Sequence, residues 1–311
     1  MRHVHFCAGL QQWNGMANLA RMLVKEQTAS GDESVLTNLL IDLKRQLERG
    51  ADEVCIHGAW LPVLWRAAKV TKRAGARLVF MPHGSYDPVR RRYHGWKKLL
   101  VSQFERSVAR RADRIVATCE AEKGWIENYL GKHCPPVEVT DVKRFFRLPQ
   151  NDKTGQTHFI ISKSSRPLHL LYLGRRHPLK GVKYLEEAVR LMLTQRRGGA
   201  ECAEIELRVV SSAFGEEKDK VWKWCDVLVL PTLSENFGLV VAEALERGKR
   251  VIATDGAPAW GNGLAGLPGF TGLYSGYCGQ LIYLKGYRDG TAAARVRLLA
   301  EAISSLANSE R

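Results

Sequence analysis

No apolar run in this chain of 311 residues approaches the roughly 20 that a helix needs to span a bilayer. The longest, such as "CDVLVLP", stop after a few residues. The N-terminus, "MRHVHFCAGLQQWNG", lacks the long apolar stretch and small-residue cleavage pattern of an export signal, and reads as a first strand. The seven cysteines, at 7, 55, 119, 134, 202, 225 and 278, are scattered and odd in number, and no two stand at CxxC spacing. That excludes a regular disulfide frame and a zinc ribbon, and points to reduced thiols in the cytoplasm. No GxxxxGK[ST] occurs, which excludes a Walker loop. Acid is scarce beside base: 32 Asp and Glu against 47 Lys and Arg leave a net charge of +15. Residues 1–150 hold 25 basic and 15 acidic side chains, so most of the excess lies there. A field of this sign attracts phosphate, whether on nucleic acid, lipid or nucleotide, and charge does not choose among them.

What is present is alternation. "RHVHFCAGL", "DEVCIHGAW", "ARLVFMPHG" and "DRIVATC" read as strands. Helical patterns follow each: "NGMANLARMLVKEQ", "LPVLWRAAKVTKRAG", a long basic helix from about Arg91 to Ala112, and "EAEKGWIENYL". The rhythm breaks between Pro149 and Pro167, where a polar stretch rich in Pro, Gly and Ser reads as a linker, with "HFII" as a possible strand inside it. It then resumes with "LHLLYLG", "GVKYLEEAVRLMLTQ", "IELRVV", "VLVLP", "GLVVAEALERG" and "RVIATD", and ends on the amphipathic "AAARVRLLAEAISSLANSER". Strand–helix alternation implies βαβ units and parallel sheets with helices on both faces. The expectation is two Rossmann-like, doubly wound α/β domains, 1–150 and 151–311, with ligands bound beyond the carboxyl ends of the strands.

Two stretches carry chemistry. In "LLYLGRRHPLKGVKYLEEAV" a strand ends at Gly174, Arg175 and Lys180 flank a short loop, and Gly181 opens a helix. Such a loop can bind a diphosphate, with Arg175 as a fork and Lys180 as a point charge, or can be a basic turn facing water. In "PTLSENFGLVVAEALERGKR" a polar turn with Glu235, Asn236, Phe237 and Gly238 leads at Leu239 into an apolar helix, whose N-terminal N–H groups favour an anion. Glu243 stands between two alanines of that helix. A buried carboxylate needs a partner: either the hydroxyls of a bound sugar or ribose, or a neighbouring Lys or Arg on a half-exposed face. His57 in "HGAW" and His83 in "MPHGSYDP" end strands, as site residues or as caps.

Taken together, "GRRHPLKG" and "ENFGLVVAEAL" resemble the retaining glycosyltransferases of family 4, which have the GT-B fold of two Rossmann domains about a cleft. Gly174, Arg175, Lys180 and Gly181 match the first family motif; Glu235, Phe237, Gly238 and Glu243 match the second. Cys278-Gly279 fits a position near the family's end. "HGSYDPVRRRYHGWKK" and "RRADRIVATCEAEKGWI" are most similar to lipopolysaccharide-core and surface-polysaccharide transferases. The paired glycines of the family's first loop reduce here to Asn14-Gly15, which puts Gly15 in that place. The family's usual stretch after its last N-domain strand is replaced by "VEVTDVKRFF", and residues 191–226 form a shorter stretch than usual.

The resemblance implies an EC 2.4-class transferase, hexosyl or heptosyl, that moves sugar from a UDP-, GDP- or ADP-sugar with retention of configuration. Arg175 and Lys180 would hold the diphosphate, Glu235 and the backbone from Asn236 to Leu239 the donor sugar, and Glu243 the ribose, with His83 near the transferred bond. It implies no metal and no other cofactor. The acceptor would be a lipopolysaccharide core or another lipid-linked saccharide.

Residues 90–114 carry nine basic and two acidic side chains, with Trp96, Leu99, Leu100, Phe104 and Val108 at helical spacing. They read either as a core helix with a solvated basic face or as a helix lying on an anionic inner membrane surface. A basic nucleic-acid-binding or partner-binding protein on a degenerate transferase fold is the rival reading, although no recognition helix, zinc knuckle or RNP-type strand appears. A phosphorylase or synthase on the same fold is a further one.

Overall fold

The computed structural model describes residues 1–10, 15–147, 167–195, 204–261, 273–276 and 281–309. The chain divides into two compact units, Met1–Phe145 and Phe146–Arg311. The expected linker, and the boundary at 150/151 inside it, lie outside the described residues.

In the first unit six strands form one sheet: β1 (Arg2–Cys7), β2 (Glu33–Thr37), β3 (Glu53–His57), β4 (Arg77–Met81), β5 (Arg114–Ala117) and β6 (Val137–Val139), in the order β2-β1-β3-β4-β5-β6, with every pair parallel. The helices between them are α1 (Gly15–Ala29), α2 (Leu40–Glu48), α3 (Pro62–Arg73), α4 (Pro88–Arg92), α5 (Gly95–Arg111) and α6 (Glu120–Leu130). Period-two alternation sorts the side chains. Val4, Phe6, Val54, Ile56, Leu78, Phe80 and Ile115 pack on one face with Leu64, Ala67 and Ala68 of α3 and Val108 of α5. Each large side chain buried there contributes roughly 1.5–3 kcal/mol. The other face of β1 and β3 carries His3, His5, Cys7, Glu53, Cys55 and His57, all buried.

The long basic helix is two helices. Asp87 caps α4 by accepting from the Val89 N–H at 2.9 Å. The chain then turns at His94, which takes a left-handed conformation with φ 53°. In α5, Glu105, Val108 and Ala109 face the core. Trp96, Leu99 and Leu100 point outward, with relative exposures of 66%, 74% and 71%. The core-helix reading therefore holds only for the second half of α5.

The second unit contains β7 (Leu168–Leu173), α7 (Val182–Gln195), β8 (Ile205–Val210), α8 (Gly215–Trp224), β9 (Val227–Leu230), α9 (Leu239–Glu246), β10 (Arg250–Thr254), β11 (Leu273–Gly276), β12 (Leu281–Leu284) and α10 (Ala292–Ser309). The sheet order is β11-β12-β10-β9-β7-β8, with all pairs parallel except the edge pair β11–β12. β7 lies between β8 and β9, so connections leave it in opposite directions. The crevice at the carboxyl ends of β7 and β9 is the switch point where such sheets bind ligands.

Candidate active site

At that switch point the loops after β7, β9 and β10 are stitched into one body. The Leu179 carbonyl accepts from the Leu233 N–H at 2.8 Å and from the Thr232 hydroxyl at 3.1 Å. The Glu235 N–H donates to the Gly256 carbonyl at 2.7 Å. The approach is close enough to require glycine. Gly181 has φ 66°, and a Cβ on it would overlap the Pro231 carbonyl oxygen. A Cβ on Gly256 would overlap Thr232 backbone. Gly181→Ala should therefore cost about 3 kcal/mol or more, from a left-handed alanine and a forced backbone shift together. Gly248→Ala is the control: φ is 69° but nothing lies within 4 Å of its Cβ position, so it should cost only about 1 kcal/mol. Urea unfolding of the two variants measures the difference; equal losses would show that the loops do not press on Gly181.

Within this body the structure joins Lys180 to Glu235. The ammonium donates to Glu235 Oε2, and both side chains are largely buried. The other carboxylate oxygen accepts from the Asn236 N–H at 3.1 Å. Arg175 is exposed; its carbonyl accepts from the Tyr172 hydroxyl at 2.9 Å, which ties the loop back to β7. Burial, followed by the nearby charge of Glu235, raises the Tyr172 pKa, so the phenol stays a donor. Gly238 caps α9 in the left-handed conformation, φ 73°. Phe237 is buried beneath it and packs on Trp260 at 5.1 Å, while the Trp260 indole N–H donates to the Phe237 carbonyl at 2.5 Å. Leu239 opens α9, and its N-cap, Gly238, has no side chain to cap it.

Glu243 departs from expectation. Its carboxylate is not an unpartnered acid in an apolar helix: Lys218 of α8 meets it at 2.7 Å. The reading in which a neighbouring lysine satisfies this acid is the one the structure shows. Cys278-Gly279 lies outside the described residues.

In the first unit His83 follows β4 at Pro82 and is strained, with φ 54°. Its neighbours hold it. The Gly84 N–H donates to the fully buried Glu122, whose carboxylate also accepts from the Thr118 N–H at 2.8 Å and hydroxyl at 2.7 Å. Arg90 donates to the His83 carbonyl at 3.2 Å. The His83 ring meets His57 at 2.9 Å, and His57 meets His5 at 2.8 Å. Burial holds all three imidazoles below their ordinary pKa, His83 at about 3. His5, Cys55 and His57 bring ligand-type atoms within 4.8 Å of one another, but all four ring nitrogens of these two histidines are engaged in hydrogen bonds. Gly15, at the first turn of α1, is exposed.

Glu122, His5, Tyr172 and Trp260 were not singled out by motif. Glu122 lies inside the quoted "RRADRIVATCEAEKGWI", where the charged neighbours Glu120 and Lys123 give no sign that it is buried. The other three sit in strands or turns where burial and hydrogen bonding are the natural reading.

Residues 2–142 match the family described as a glycosyl transferase 4-like domain, and residues 167–268 match the glycosyl transferases group 1 family. The chain belongs to the GT-B glycosyltransferases. It fits family 4 among them. No curated protein sequence matches this one. Among solved structures, this glycosyltransferase resembles a sucrose-phosphate synthase from Thermosynechococcus elongatus at 14% identity and TM-score 0.60, covering 100% of this chain and 92% of that one. It resembles HepE of Anabaena, solved with UDP-glucose, at 15% identity and TM-score 0.56, covering 99% and 95%. The lipopolysaccharide outer core galactosyltransferase WaaB gives 15% identity and TM-score 0.54, covering 99% and 91%. At these identities the likeness is one of fold.

Proposed function

We propose that this glycosyltransferase moves a hexosyl or heptosyl group, with retention, from a nucleotide sugar to a lipid-linked surface saccharide such as a lipopolysaccharide core. The observation that carries the reading is the Lys180–Glu235 pair, held at the ends of adjacent strands beside Arg175. A sugar diphosphate needs cations at its phosphates and an acceptor at its sugar hydroxyls, and this pair offers one of each. Lys180, Arg175 and the amides that open α9 take up the charge that develops on the departing diphosphate, so the reaction proceeds without a metal. The bond from the anomeric carbon to the diphosphate breaks, the acceptor oxygen bonds to that carbon on the same face, and the acceptor proton passes to the leaving phosphate oxygen. Glu235 and the backbone from Asn236 to Leu239 hold the donor sugar. Glu243 reaches the ribose only by sharing its carboxylate with Lys218.

Thermal-shift measurement with UDP-, GDP- and ADP-sugars in EDTA tests this. At a ligand concentration of 100 times Kd, one of the three should stabilise the protein by about 2.7 kcal/mol. No shift with any of them would overturn the reading.

The same reading places the enzyme on the inner face of the cytoplasmic membrane. Among the described residues no helix is long and apolar enough to cross a membrane, so contact would be peripheral. The outward Trp96, Leu99 and Leu100 of α5, flanked by Arg90–Arg92, Lys97 and Lys98, suit an anionic interface. Sedimentation with phosphatidylglycerol vesicles should retain the protein, and phosphatidylcholine vesicles should not. Serine at all three apolar positions should abolish the retention; binding unchanged in that variant would refute the surface.

A further inference from the structure

Trp60 follows β3 and Tyr86 follows β4, adjacent parallel strands, so both lie at the carboxyl edge of the first sheet. Their rings meet edge to face with centroids 5.7 Å apart. Tyr129 of α6 completes the cluster: it stacks on Tyr86 at 4.8 Å and meets the edge of Trp60 at 5.7 Å. Glu105 of α5 ties the group together, accepting from the Tyr86 hydroxyl and from the Trp60 N–H, each at 2.7 Å. Trp60 itself takes a left-handed conformation, φ 65°, which costs of order 1–3 kcal/mol and persists only where the surroundings impose it.

Three cations border these rings. Arg91 of α4 lies over Tyr129 at 4.5 Å from the centroid, and Arg106 of α5 lies over the same ring at 5.3 Å. Lys98 of α5 lies 5.8 Å from the Trp60 centroid and donates to the Arg90 carbonyl. Tyr86 covers one face of Tyr129, so two guanidinium groups share what is left of a single ring. Both arginines are exposed, and Trp60, Lys98 and Tyr129 are partly so. Burial, followed by the charges of Arg90 and Arg91, lowers the Lys98 pKa, so the cations crowd one another. Among the described residues no carboxylate stands at ion-pair distance from Arg91, Arg106 or Lys98. Asp87 caps α4, and Glu105 serves Trp60 and Tyr86. Cations gathered in this way repel, and an anion among them turns the repulsion into charge-assisted hydrogen bonds. A guanidinium held on a ring face keeps its fork aimed, and that fork matches phosphate. Partly exposed aromatic surface beside a phosphate site suits the apolar face of a sugar.

We propose that Arg91, Arg106 and Lys98 bind a phosphate ester carried on a saccharide, with Trp60 beside the sugar. The anion site stands on these residues alone; that the saccharide is the acceptor rests on the transferase reading above. The ester is either a phosphate on the sugar or the diphosphate that joins it to a lipid.

The experiment uses the full chain with 15N-labelled arginine. The side-chain Nε–Hε signals missing from Arg91→Lys and from Arg106→Lys identify the two guanidinium groups. Titration with glucose 6-phosphate or with farnesyl diphosphate should move both signals together, with one Kd of about 1 mM or tighter. Saturation by glucose 6-phosphate assigns the ester to the sugar, and saturation by farnesyl diphosphate alone assigns it to the lipid carrier; either supports the site. Movement with neither, or with sodium chloride equally well, would overturn it. Arg91→Gln and Arg106→Gln should each weaken binding about tenfold, the loss of one charge-assisted contact. Arg45→Gln removes the same charge from α2 and should leave Kd unchanged; an equal loss there would reduce the site to net charge and overturn it. Deacylated lipopolysaccharide core is then offered as acceptor before and after phosphatase treatment, with the nucleotide sugar that gives the thermal shift. Dephosphorylation should lower kcat/KM about tenfold for the parent, and the Arg91→Gln, Arg106→Gln double variant should be equally poor with both forms. A parent indifferent to dephosphorylation would overturn the acceptor role. Absence of any nucleotide-sugar shift would instead overturn the transferase reading, and the titration would still decide the anion site.

Discussion

Lys180→Ala should abolish sugar transfer, lowering kcat by about 10²–10³-fold, or roughly 3–4 kcal/mol, the range found when one preorganised charge stabiliser is removed. Two reasons support an effect this large. On the proposed reading the substitution removes a cation from the donor diphosphate, and in the structure it strips Glu235 of its ion pair with Lys180. The bereft carboxylate is mostly buried and would face the incoming phosphates with like charge. Donor binding should therefore fall together with turnover, and the nucleotide-induced thermal shift should vanish. Glu235→Ala added to Lys180→Ala removes the repulsion. The double variant should bind the donor better than Lys180→Ala alone and still fail to transfer, because no carboxylate holds the sugar. A double-mutant cycle on donor Kd measures this coupling. Folding is checked by circular dichroism, since breaking a largely buried pair also lowers stability. Lys180→Ala with kcat within tenfold of the parent would remove Lys180 from the mechanism.

The strongest part of this site was legible because its signals are local. Gly181 had to be glycine for a close backbone approach, and Arg175 and Lys180 precede it within one loop. Glu235 to Leu239 form one continuous turn into α9. The parallel sheets were legible because strands buried on both faces read as short unbroken apolar runs. What failed was long-range or two-faced. The partner of Glu243, Lys218, lies on α8, a Lys- and Glu-rich stretch that buries little beyond Trp222. β2 is only partly buried, so its apolar residues do not stand out, and neither it nor α2 is legible in the sequence. On α5, periodicity identified an apolar stripe but could not say which side it faces; Trp96 to Leu100 face outward. The break at His94 has only the following Gly95 to announce it. The histidine chain requires the register of β1 on β3, which no single stretch encodes.

Acid should unfold the first unit well before carboxylate protonation alone would do so. His5, His57 and His83 are neutral in the folded protein because burial depresses each pKa, that of His83 to about 3. Released by unfolding, each would titrate near its ordinary 6.5. The unfolded chain therefore binds more protons below pH 6.5, and the stability tied to each histidine is lost as pH falls from 6.5 toward its folded value. For His83 alone, two pH units below 6.5 cost about 3 kcal/mol. The nearest charges do not reverse this, for Arg90 also disfavours a charged His83 and Gln27 is neutral. Glu105 opposes it. Burial raises its carboxyl to about 7, against the Tyr86 hydroxyl and Trp60 N–H that favour the anion. Its stabilising contribution is full below about 4.5 and lost as pH rises through 7, so in the same window it offsets roughly one histidine, about 3 kcal/mol. Glu122, whose carboxyl is likewise raised by burial, acts in the same sense as Glu105, so three neutral histidines stand against two acids and the net slope is towards instability in acid. Glu105→Gln keeps an acceptor for Trp60 and a donor for Tyr86 but cannot titrate, so it should steepen the loss between pH 7 and pH 4.5 by about 3 kcal/mol. Urea unfolding across that range, followed by tryptophan fluorescence, separates the terms. Parallel curves for the parent and Glu105→Gln would refute the shifted carboxyl, and a flat curve in Glu105→Gln would refute the neutral histidines.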